Sequence, residues 1–81
     1  MKIGQLSKFS FYLNGDYTEF LEITKWIDEN KILSDSDTIW WDKYNGRQKK
    51  NITPNVDYAF VGANIMFFDT SDSLRFKLRW A

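Results

Sequence analysis

Cysteine and histidine are both absent from these 81 residues, and proline occurs once, at Pro54. Without cysteine there is no disulfide and no thiolate nucleophile. Without histidine the usual general base near neutral pH is missing, as are tetrahedral zinc sites built from the two residue types. No Gly-rich phosphate loop occurs. No apolar run approaches the roughly 20 residues needed to span a bilayer. The opening MKIGQLSKFSFYLNGD also lacks the continuous apolar core and small-residue cleavage site of a secretory signal. The stretch DTSDS at 69–73 is rich in oxygen ligands but lacks the closing glutamate of a calcium loop, so it reads as a tight turn. The expectations are therefore a non-enzymatic protein with no metal, no cofactor and no membrane span. The lack of cysteine fits a cytoplasmic location.

What the chain has in quantity is aromatic residues: four tryptophans, four tyrosines and seven phenylalanines. A chain of this length buries only about 60% of the surface its unfolded form exposes. Large rings, at about 150–250 Å² each, compensate for the missing cross-links. One domain, residues 1–81, is expected.

The formal net charge is zero, unlike the strongly basic domains that coat nucleic acid. The zero conceals a separation. Residues 1–42 carry eight carboxylates against four lysines, a balance of −4, and residues 43–81 carry seven cations against three aspartates, a balance of +4.

Along the chain, Phe9, Phe11 and Leu13 alternate with polar neighbours, so residues 8–13 read as a strand. Asp16 and Glu19 have the spacing of a capping box, and an amphipathic helix follows from Tyr17 to Asn30. Residues 37–44 (DTIWWDKY) read as a second strand, and Asn45-Gly46 as a type I′ hairpin turn. RQKKNIT is too polar for a central strand and suits a short edge strand or a loop. Thr53-Pro54 has the pattern of a helix start, with Gly62 as its stop. Ile65–Phe68 and Leu74–Trp80 then read as a closing hairpin across the 69–73 turn, because Leu74, Phe76, Leu78 and Trp80 alternate with Arg75, Lys77 and Arg79. The fold expected is α+β, with one main helix on a mostly antiparallel sheet of four to five strands, ferredoxin-like or related. Right-handed crossover geometry suggests that the first two main strands are parallel neighbours.

Two surfaces emerge as candidates. Trp26 falls about 100° from the centre of the helix's apolar stripe, beside Glu19, Glu22 and Glu29, in the manner of a protein-binding anchor. The plainer alternative is that the 31–37 loop covers it with Ile32 and Leu33. The outward cations Arg75, Lys77 and Arg79 form a second contact patch. A single-stranded nucleic acid is the other class of partner: Trp40 and Tyr44 on an open sheet face, with Arg47, Lys49 and Lys50, would stack on bases and attract phosphates. The plainer alternative there is that Trp40 packs on a cationic side-chain stem of the next strand. Opposite charges on the two halves also suit a homo-oligomer.

The ending FFDTSDSLRFKLRW resembles that of many small proteins of tailed bacteriophages, in which an acidic turn leads into a strand finishing Phe-Lys-Leu-Arg-aromatic, here Phe76 to Trp80. The resemblance covers about a sixth of the chain and implies a small phage-encoded α+β domain. It implies a host protein as partner, in host takeover or the blocking of a defence system, and assigns no site residue.

Overall fold

A computed structural model describes all residues, 1–81. In chain order the elements are β1 (Lys2–Gln5), β2 (Ser10–Asn14), α1 (Tyr17–Glu29), β3 (Ser34–Asp42), β4 (Arg47–Lys50), β5 (Tyr58–Phe67) and α2 (Thr70–Trp80). The five strands form one sheet in the order β1-β2-β5-β3-β4, and every neighbouring pair is antiparallel. Both helices pack on the same face of it. The α+β architecture with α1 on an antiparallel sheet is as the pattern suggested. β2 and β3 are indeed parallel, but they are not neighbours, because β5 lies between them and pairs with both. The place beside β2 is held by β1, which precedes it in sequence.

The N-terminus of α1 matches its sequence signal closely. The Asp16 carboxylate accepts from the Glu19 amide at 2.9 Å, and the Glu19 carboxylate accepts from the Asp16 amide at 3.2 Å. Phe20, Ile23 and Ile27 are buried at i, i+3 and i+7. The hairpin at Asn45-Gly46 is also where expected, although its turn is different. Only Gly46 has a positive φ, +66°, and a four-residue loop is closed by the Gly46 amide on the Asp42 carbonyl at 2.8 Å.

The last third of the chain departs from the sequence reading. Residues 53–62 form no helix; β5 runs continuously from Tyr58 to Phe67. Gly62 is not a helix stop but a point of close approach. A β-carbon there would collide with the Leu13 carbonyl oxygen, and it would lie 2.8 Å from the Tyr12 hydroxyl. A register shift between Ile39 and Trp40 leaves Val61 as the extra residue of a bulge, so Phe60 and Ala63 share a face although three positions apart.

The second correction concerns Leu74–Trp80, which is not a strand paired with Ile65–Phe68. It is the body of α2. Asp69 caps it, accepting from the Ser71 amide at 2.7 Å, and Ser73 and Phe76 are buried. The Ser73 hydroxyl donates to the Lys8 carbonyl at 2.6 Å and so ties the helix to the β1–β2 connection. Phe76 is fully enclosed, edge-on to Phe11 at 4.8 Å and beside Phe67 at 5.1 Å. A second cluster joins Tyr17, Phe20, Trp40 and Phe60, with centroids 5.0–6.1 Å apart. The two clusters fill the layer between helices and sheet.

Candidate functional site

Trp26 sits on the flank of α1 that faces α2. Its ring lies 6.4 Å from Phe76 and 6.3 Å from Trp80, the latter nearly perpendicular at 83°. Its cover therefore includes α2; of the two residues expected to cover it from the 31–37 segment, Ile32 is buried in the core cluster on which Trp26 packs, while Leu33 is 74% exposed. Arg75 donates to the Asn30 side chain at 2.9 Å. The Asn30–Arg75 and Trp26–Trp80 contacts run in opposite order along the two helices, which are therefore antiparallel.

Between them lies a groove of about 280 Å³ lined by Glu22, Lys25, Trp26, Glu29, Arg79 and Trp80. One bank is mainly acidic, with Lys25 and Glu29 paired at 3.8 Å across an exposed i,i+4 step that adds little stability. On the other bank the Arg79 guanidinium stands 4.3 Å from the Trp80 ring. Both tryptophans are half-buried. Four residues singled out by pattern, Glu22, Trp26, Glu29 and Arg79, thus meet at one place.

The other three do not. Glu19 is engaged by the capping box and by the amino terminus of Met1 at 3.2 Å. Arg75 braces the C-terminal end of α1 through Asn30 and pairs with Asp72 at 3.4 Å. Lys77 lies on the opposite flank of α2, beside Gln5 and Lys8. Trp80 and Lys25 were missed as lining residues. The signal for Trp80 is its helical spacing from Ser73 and Phe76, which period-two alternation masks.

The nucleic-acid set is dispersed. Trp40 is 4% exposed, faces the helices and leaves its indole N–H unpaired, so no base can stack on it. Tyr44 is in the β3–β4 turn and not on the sheet. Arg47 and Lys49 pair with Asp42 and Trp40 in the register and lie on the helix-bearing face. There Lys49 approaches the Asp42 carboxylate at 3.6 Å and the Tyr58 ring at 5.7 Å. Of the five, only Lys50 is on the open face.

Asp42 holds the hairpin. Its carboxylate is buried and accepts from the Asn45 side chain at 2.8 Å and from the Asn45 and Tyr44 amides at 3.1 and 3.0 Å. The Asn45 side-chain bond, followed by the Asn45 amide, lowers its pKa below the ordinary 3.8; burial opposes, and the Tyr44 amide and Lys49 assist. This carboxylate is structural. No helix is long and apolar enough to cross a membrane. No family model, curated protein or solved structure matches the chain.

Proposed function

We propose that this protein is a non-enzymatic binding module that acts by docking its helical layer on another protein. The observation that carries this reading is the Trp26–Trp80 pair, half-open at the floor of a groove whose two banks differ in charge. Half-buried tryptophans held by packing on both sides lose little side-chain entropy on binding, which suits them to dominate an interface. The likeness of the C-terminal stretch to phage proteins is one of sequence only, since residues 70–80 are helix and not strand; it supports a host protein in the cytoplasm as the partner, with inhibition of a defence or regulatory component as the outcome.

The test is cross-linking and capture in the host with wild type and with a Glu22→Arg/Glu29→Arg variant. These side chains are exposed, so the variant should melt like the wild type. Loss of the captured partner is the expected result. Retention of the same partner at equal yield dismisses the groove.

A second reading rests on the open sheet face, where the register places Tyr12 and Trp41 with Lys2 and Lys50. Trp41 is 42% exposed and available to stack on a base. Asp35 and Asp37 share that face and oppose phosphates. This reading requires that short oligonucleotides quench tryptophan fluorescence at low salt and that Trp41→Ala abolish the quenching.

A further inference from the structure

The outer side of α2 carries an apolar ridge that the groove does not use; of the cations around it, only Arg79 also lines the groove. Leu74 and Leu78, four residues apart, are 56% and 79% exposed and form one apolar ridge. At about 100° per residue, Arg75 and Arg79 fall on one side of that ridge and Lys77 on the other. Beyond Lys77 a cleft of about 230 Å³ separates α2 from the β1–β2 connection, lined by Gln5, Lys8, Thr70, Ser73, Leu74 and Lys77. The chain's four ion pairs leave Lys8, Lys77 and Arg79 without a carboxylate partner; of the cations around the ridge only Arg75 has one, Asp72.

Resting on the protein-docking reading above, we infer that the α2 ridge receives an acidic amphipathic segment of the partner, whose leucine-like side chains meet Leu74 and Leu78 while its carboxylates face Lys8 and Lys77 on one flank and Arg79 on the other. Charge complementarity selects this occupant. Cations on both flanks of an apolar ridge match a helix with carboxylates on both flanks of its own apolar stripe, the usual geometry of helix recognition. A nucleic acid would leave the leucines unsatisfied. A basic segment would meet uncompensated cations.

The test uses the full chain and a fluorescein-labelled helical peptide with leucines at i and i+4 flanked by glutamates. A counterpart with lysines in place of the glutamates, and vesicles of anionic phospholipid, serve as the other probes. Anisotropy should show binding of the glutamate peptide only, weakening at least about tenfold as salt rises from about 50 to 300 mM. Leu78→Asp should abolish it, and Lys77→Glu should weaken it about tenfold; circular dichroism of both variants should match the wild type. No binding of the glutamate peptide, equal binding of the lysine peptide, binding of vesicles alone, or an unchanged affinity in Leu78→Asp each overturns the inference. A lysine peptide that binds while the glutamate peptide does not leaves the docking reading standing with the opposite partner charge. Failure of both peptides, together with a wild-type chain that captures no host protein or a Glu22→Arg/Glu29→Arg variant that captures it equally, removes both.

Discussion

Gly62 and Asp42 show how much of this fold rests on single side chains, or on the lack of one. At Gly62 the strands come so close that a methyl group would overlap the Leu13 carbonyl oxygen and crowd the Tyr12 ring. Gly62→Ala should therefore cost about 1–3 kcal/mol, in the range of other overpacking changes. In a domain of this size that lowers Tm by at least about 4 °C. Gly4→Ala meets nothing within 4 Å and is the thermal-melting control. Asp42 makes a prediction in pH. Its native pKa lies below 3.8, so the native state binds the proton less tightly than the unfolded chain does. The carboxylate's contribution is complete above the unfolded value and is lost as pH falls through the lowered native value. Melting scans from about pH 6 down to 2 should show a steeper loss below pH 4 for wild type than for Asp42→Asn. Parallel curves would assign the acid sensitivity elsewhere.

Among the elements, those with local chemistry at their ends were legible and those decided by long-range packing were not. The capping box of α1, the Asn45-Gly46 hairpin and the polar edge strand β4 follow from residues within a few positions of each other. β1 was overlooked because KIGQ has one apolar side chain and acquires its structure only by pairing with β2. β5 was hidden by its bulge, which breaks the period-two pattern at Val61, and by a glycine that mimics a helix end. For α2, LRFKLRW satisfies a strand period in its own seven residues. The helical stripe Ser73–Phe76–Trp80 becomes visible only when Asp69 is recognised as a cap. The groove was half legible: Trp26 and its neighbouring glutamates stood out, whereas Trp80 and Arg79 needed the helix to bring them opposite. The two readings separate cleanly by mutation. A buried strand face would make Phe76 and Leu78 comparably costly to remove. In the helix, Phe76→Ala should cost about 3–5 kcal/mol, enough to threaten so small a domain, and Leu78→Gln should stay within about 0.5 kcal/mol. Urea denaturation of both variants measures the difference.

The molecule as a whole places its two oppositely charged helices side by side on one face of a sheet and leaves the other face open. α1 carries four carboxylates against Lys25, and α2 carries three cations against Asp72. The separation of charge between the halves of the sequence thus becomes a boundary running along the helical layer, with Trp26 and Trp80 on it. Lys77 and Arg79 in the last turn of α2 also suit the negative end of its dipole. The arrangement depends throughout on residues 70–80 being helical. Backbone and ring assignments by NMR in solution address that directly. Downfield Cα shifts over 70–80, with cross-peaks between the Trp26 and Trp80 rings and between Phe76 and Phe11, are the predicted result. Extended-chain shifts over 74–80, with cross-strand contacts from Leu74–Trp80 to Ile65–Phe68, would contradict the fold, the groove and the α2 ridge together.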